Sequence, residues 1–341
     1  MNNSTIFSDI CIDNDDFIYE FKRIVEGWIL SGVSLFGIIG NTLTCVILLH
    51  PEMRKSSTNL YILALSFVNI IVLIVFILSH GLRWIFYNSC SNIITSYELF
   101  YIKIFLYIYP IHITSVLTSI YLATSVTIDR FLIICLPYRM KKYHSKKSSL
   151  IVIISVCSFC IIYCLPFWFE FTHENGDNNL TLVLSSLGKH IIFRLLMRKY
   201  LYLIFVFLLP LSILIICKTF IIKQLIILRN KKRKLCTQDH STNSITLLLL
   251  SLAGIFLLTQ FPYFLFNTFY ALKGPLYMET TNARLYLSVN NVLSVTNASC
   301  VFILYSFFGH KFRYVFQSMF CCCNQRKNEV IQFKLIRKPR I

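Results

Sequence analysis

The sequence predicts an all-α membrane protein: a bundle of seven transmembrane helices followed by a short amphipathic helix. Three observations carry this expectation. Of 341 residues, 56% are hydrophobic and only 14% charged, against roughly 25% charged in soluble domains, so no water-soluble fold would cover the apolar surface. Stretches of about 20 apolar residues, the length a helix needs to cross the hydrocarbon core, recur along almost the whole chain. Neither a Pro/Gly/Ser-rich linker nor an internal repeat separates them, so they should pack as one bundle.

Charged and turn-rich breaks delimit the spans. An outer segment, 1–24, comes first; its beginning holds Asp9, Asp13, Asp15, Asp16 and Glu20 without a Lys or Arg. That is unlike a cleavable signal peptide, and the first apolar segment is expected to stay as an anchor. The predicted spans are 25–49, 58–82, 99–133, 148–169, 200–228, 244–271 and 284–308. Together, 25–308 form the membrane domain. Residues 309–320 form the amphipathic helix, and 309–341 as a whole the cytoplasmic tail.

Lys and Arg set the orientation. The loops after the first, third and fifth spans and the tail hold roughly twice as many as the other side, among them Arg54, Lys55, Arg139, Lys141, Lys142, Arg229, Lys231 and Lys232. The basic side faces the cytoplasm, so the chain is expected in the plasma membrane, multi-pass, with its N-terminus outside. The formal net charge of +18 then meets anionic membrane lipid and a cytosolic partner. Nucleic acid is not expected, because the basic residues are confined to membrane-flanking loops.

The sequons Asn2-Asn3-Ser4, Asn3-Ser4-Thr5 and Asn179-Leu180-Thr181 make Asn2, Asn3 and Asn179 candidate sugar acceptors on the outer side. Cys11 and Cys90 are the cysteines of the outer segments. In an oxidising exterior they form either a disulfide tethering the N-terminal segment to the first outer loop or two free thiols. Cys45, Cys135, Cys157, Cys160, Cys164, Cys217 and Cys300 lie inside apolar runs as packing residues. The Cys157/Cys160 pair has no nearby His or carboxylate, so neither a metal nor a cofactor is expected.

Asp129-Arg130-Phe131 closes the third span, and an ionisable pair at a membrane boundary is a functional candidate, since each charge is costly there unless paired or wetted. Pro262 lacks a backbone N–H and should kink the sixth span into a lever. Around them stand Gly40-Asn41, Leu65 to Asn69, Pro210, Phe256, Phe261-Pro262, and Asn297 with Tyr305, followed by Phe308 to Arg313. In order and spacing these resemble the rhodopsin-like G-protein-coupled receptors over nearly the whole chain. The resemblance implies an activation switch made of Asp129, Arg130, Phe131, Phe256, Pro262 and Tyr305. Arg130 latched on Asp129 holds an inactive state, and its release opens a cytoplasmic cleft for a heterotrimeric G protein.

The chain also departs from that pattern. Asn69 stands where many members carry a sodium-anchoring aspartate, Val301 and Phe302 replace the seventh-span Asn and Pro, and Gln260 replaces the sixth-span Trp. Phe105 takes the place of the outer third-span cysteine, and the second outer loop has no cysteine, so the usual disulfide has no counterpart. With Tyr109-Pro110, the run Ser119 to Phe131, Met53 to Asn59 and Tyr202 to Pro210, this is similar to invertebrate FMRFamide-receptor-like peptide receptors.

That second resemblance implies a short extracellular peptide ligand, amidated and of the Arg-Phe-amide type. The pocket it implies lies between the outer halves of the spans, with Tyr109, His112, Ser115, Tyr263, Asn267, Tyr270 and Asn291 as candidates. For each of these, packing or interhelical hydrogen bonding is the rival role. Outer acids, counted to include Glu26 and Glu170, nearly balance the outer bases and leave the ligand's charge unread. Cys321, Cys322 and Cys323, after the amphipathic helix, resemble juxtamembrane palmitoylation sites.

The alternative within this fold is an atypical or virus-borne receptor that signals constitutively or without a peptide. A retinal receptor needs a seventh-span lysine, where Val295 stands. An intramembrane enzyme needs paired carboxylates or a Ser/His set, whereas Asp129, at an edge, is the acid expected within the spans. A transporter's inverted repeats are missing.

Overall fold

Hydrocarbon offers no hydrogen-bond partner, so each apolar run must satisfy its backbone internally and folds as a helix. The computed structural model describes residues 14–51, 53–54, 56–86, 96–137, 145–175, 180–233, 241–308 and 310–320. Its long helices are Phe17–Leu49, Ser57–Phe86, Phe100–Cys135, Lys146–Phe169 and Ile191–Ile227, then Ser241–Lys273 and Thr281–Phe308. These are the seven predicted spans, in order.

The ends differ most in the first and fifth spans, where helix begins at Asn14 and Ile191 rather than near 25 and 200. Charged residues suggested breaks there, but these charges find partners along the helices. Arg23 pairs with Glu20 at 3.3 Å, Lys22 Nζ lies 4.7 Å from the centre of the Trp84 ring, and Arg198 pairs with Glu170 at 2.7 Å. A charge with a partner does not end a helix.

Apolar side chains divide between lipid and interior. Ile162 and Leu258, each 71% exposed, face outward, as a membrane requires. Inside, Leu117, Ile120, Cys160, Cys164, Phe167, Val206 and Leu214 join the third, fourth and fifth spans, with both cysteines acting as packing residues. Leu30, Leu73, Phe76 and Val295 join the first, second and seventh. The short helix His310–Phe320 turns Phe312 and Val315 onto Ile47, Leu48, Met53 and Ile62 at the inner ends of the first two spans, while Arg313 and Tyr314 stay exposed. This is the amphipathic helix expected from the sequence, seated on protein through its apolar face.

Small residues let membrane helices approach closely. A Cβ added at Gly40 would lie 2.8 Å from the Phe302 Cβ, and Asn41 Nδ2 donates to the Ala298 carbonyl at 3.1 Å, which locks the first span to the seventh. Phe302 therefore occupies the place of the missing proline by filling the space that Gly40 leaves. Gly40→Val is expected to overpack this contact and lower stability by about 1–3 kcal/mol, read as a fall in the melting midpoint of the purified protein. An unchanged midpoint would mean the two spans do not meet there.

Outside the membrane, β1 (Phe171–Asn175) and β2 (Leu180–Leu184) form an antiparallel hairpin with Phe171 opposite Leu184. It follows the fourth span directly and leads back into the fifth.

Candidate functional site

The outer site is built around one ion pair. Glu170 follows a tight turn, Leu165–Phe169, opened by Pro166, and is fully buried. Arg198 sits in a wide π turn, Leu195–Tyr200, a local geometry often found at functional sites. Its Nη2 donates to both Glu170 oxygens at 2.7 Å. The Tyr109 hydroxyl donates to Glu170 Oε2 at 2.7 Å and also meets the Arg198 guanidinium. That guanidinium lies 5.0 Å from the Phe167 ring centre and 5.6 Å from that of Tyr270, cation–π contacts that strengthen as water is excluded.

Arg198 forms one wall of a cavity of about 50 Å3, with His112, Tyr202, Gln260, Tyr263 and Asn267 among the others. The cavity thus combines aromatic walls, a few amide groups and a cation already balanced by a carboxylate. Apolar walls with sparse, placed polar groups are what a small-ligand site needs.

The hairpin is fixed to the same region. Phe171 packs edge-to-face on Phe105 at 5.2 Å and on Tyr109 at 4.9 Å, and His173 Nε2 lies 2.8 Å from the Ile102 carbonyl oxygen. Phe105 stands where the resemblance implies a cysteine, so ring packing holds this loop to the third span where a disulfide is lacking.

A second polar group lies between the first, second and seventh spans. Glu26, 3% exposed, has Oε2 3.3 Å from His80 Nδ1 and receives a bond of 3.4 Å from Asn291 Nδ2. Glu26 and His80 both lie in π turns, Arg23–Leu30 and Ile77–Gly81. Phe76 links this group to the outer cavity, its ring 5.8 Å from His80 and 4.2 Å from His112.

At the inner end, buried Asp129 accepts a hydrogen bond of 2.5 Å from the Thr58 hydroxyl, joining the third span to the second. Phe131 packs on Phe220 of the fifth span at 6.0 Å, next to Ile221 and Leu225. Arg130, beside them, is half-buried. Pro262 lies inside the sixth span, and its carbonyl accepts from the Tyr286 hydroxyl at 3.0 Å. The backbones of Phe256 and Tyr305 are helical; their side chains lie outside the described residues.

Of the seven pocket candidates, His112, Tyr263 and Asn267 line the cavity, while Tyr109 and Tyr270 flank it through Arg198. Asn291 belongs to the Glu26 group, and the Ser115 hydroxyl turns back to its own helix at the His112 carbonyl, 2.9 Å away. Two expectations need correction. Glu26 and Glu170 are not outer-loop acids facing water but buried members of the bundle, so Asp129 is not the acid that stands alone there. The signal available was an acid just inside the first predicted span, Glu26, and one directly after the fourth, Glu170. Cys11, Cys90, Asn2, Asn3, Asn179, Cys321, Cys322 and Cys323 lie outside the described residues.

Comparison with known proteins agrees with this architecture. Residues 40–306 match the family described as 7 transmembrane receptor (rhodopsin family). Among relatives, an FMRFamide receptor of Drosophila melanogaster is 25% identical over 321 residues, covering 91% of this chain and 57% of its own length. The FMRFamide peptide receptor frpr-18 of Caenorhabditis elegans is 26% identical over 290 residues, covering 82% and 66%. Cysteinyl leukotriene receptor 1 of Mus musculus is 24% identical over 327 residues, covering 92% and 87%. The chain spans less than two thirds of the length of either FMRFamide receptor. With the match covering the bundle from the first span to the seventh, this chain belongs to the rhodopsin family of seven-transmembrane receptors.

Proposed function

We propose that this chain is a receptor for a short amidated peptide at its extracellular face and that it activates a heterotrimeric G protein at its cytoplasmic face. The observation that carries the ligand class is the Arg198–Glu170 pair, both of whose carboxylate oxygens lie 2.7 Å from one guanidinium nitrogen. A cavity whose cation is already neutralised suits an uncharged terminal amide. A free carboxylate would instead compete with Glu170 and leave one anion in excess in a low-dielectric site. The aromatic walls at Tyr202 and Tyr263 suit a terminal phenyl ring. So narrow a cavity takes the end of a ligand, the rest lying toward the hairpin. The FMRFamide receptors among the relatives support the same class.

His112, Tyr263 and Asn267 are assigned to direct ligand contact, and Tyr109 and Tyr270 to holding Arg198 in place. At the inner face, Asp129, Arg130 and Phe131 form the switch, with Pro262 as the pivot of the sixth span and Phe256 and Tyr305 as its neighbours. Asn2, Asn3 and Asn179 are proposed sugar acceptors, Cys321 to Cys323 acylation sites, and Cys11 and Cys90 a disulfide.

The test is competition binding on membranes of expressing cells with matched peptides ending in Arg-Phe-amide or in Arg-Phe with a free carboxylate. The amide is expected to bind at least about tenfold tighter, equivalent to 1.4 kcal/mol. A preference for the acid would overturn the amide assignment and make Arg198 the counter-ion of an anionic ligand.

A further inference from the structure

The inner half of the bundle holds a second cavity, also about 50 Å3, lined by Asn69, Ser119, Thr127, Lys218 and Asn297 among apolar side chains. It touches the second, third, fifth, sixth and seventh spans, and neither the ligand pocket nor the Asp129 switch uses it. Lys218 is 5% exposed, and its ammonium nitrogen has no hydrogen-bond partner among the described residues. Asn69 is 1% exposed. Its Oδ1 accepts from the Ser119 hydroxyl at 2.6 Å, which leaves Nδ2 as the free end of the amide, again with no partner among the described residues.

The two unmatched groups on this cavity are therefore both donors, and one carries a full positive charge when protonated. A buried charge is tolerated when an opposite charge meets it, and no Asp or Glu is among the residues lining this cavity. On the same span Arg198 has Glu170 as its counter-charge; among the described residues no carboxylate lines the cavity beside Lys218. We propose that the cavity binds a small monovalent anion of the halide class, chloride under ordinary conditions, held by Lys218 Nζ and Asn69 Nδ2.

About 10–15 Å3 of such space accommodates one water-sized particle, so this cavity has room for a halide and accompanying water. Many relatives are implied to anchor a cation beside an aspartate at the position of Asn69; here an amide and an ammonium reverse the sign of the ion. The anion bridges the second and fifth spans and so stabilises the packed bundle by mass action.

The test uses the purified full chain at fixed pH and ionic strength, with chloride replaced by gluconate. The melting midpoint is expected to fall by about 3 °C in gluconate, the scale set by a ligand present at several times its Kd, and bromide is expected to restore it. In Lys218→Met the midpoint should be the same in chloride and gluconate. Asn69→Asp, which places a tethered carboxylate on the cavity, should fold without halide and lose the dependence as well, so the assignment stays testable if Lys218→Met fails to fold. Equal midpoints for the native chain in chloride and gluconate, or an undiminished halide response in the variants, overturns it.

Discussion

Arg198→Met is expected to destabilise the receptor by about 3–5 kcal/mol, because it strands a fully buried Glu170 without its counter-charge. Glu170→Gln is expected to act in the same direction, leaving the guanidinium with Tyr109 and two aromatic faces but no anion. The double variant Arg198→Met/Glu170→Gln should recover most of the loss, since removing both charges also removes the cost of keeping them from water. Peptide binding should not recover with it, because the polar wall of the cavity is gone. Surface level and melting midpoint read the first effect, and competition binding reads the second. Additive losses in the double variant would mean the two charges do not depend on each other.

The second large effect lies at the opposite end. Arg130→Ala is expected to abolish G-protein activation while leaving peptide affinity within about threefold, because the residue lies at the inner end of the third span, away from the outer cavity. Thr58→Ala should do the reverse. It removes a hydrogen bond to a charged acceptor, worth roughly 1.5–3 kcal/mol, from the state in which Asp129 is held against the second span. If that bond belongs to the inactive state, its loss raises the active fraction by about tenfold or more, visible as ligand-independent calcium or cyclic-AMP signalling. Unchanged basal signalling from a Thr58→Ala receptor that reaches the surface would remove Thr58 from the switch.

The spans were legible because apolar length is a property of the chain alone. The amphipathic helix at His310–Phe320 was legible for the same reason. The helix ends at Asn14 and Ile191 were not, because a charge reads as a break until its partner is known. Apart from Glu20, three positions from Arg23, the partners of buried charges are distant in sequence: Glu26 and His80 are 54 positions apart, Glu170 and Arg198 28, and Tyr109 and Glu170 61. Periodicity cannot pair such residues. Polar residues on the outer halves of the third and sixth spans include His112, Tyr263 and Asn267, which the bundle brings together on one cavity. The Ser115 hydroxyl turns instead to its own helix, because a hydroxyl there can be satisfied by the backbone. Lys218 had a signal that went unused, a lysine inside an otherwise apolar stretch of the fifth span, where an ionisable residue is a functional candidate by default.

The most direct test of the account is G-protein nucleotide exchange by the full chain reconstituted in lipid nanodiscs, with and without an Arg-Phe-amide peptide, alongside the Arg198→Met/Glu170→Gln variant. The account predicts saturable acceleration by the native chain and none by the folded variant. Equal acceleration by both would place the ligand elsewhere on the receptor. Full exchange activity without peptide, unchanged on adding it, would contradict the peptide-gated reading and favour a constitutively active member of the family.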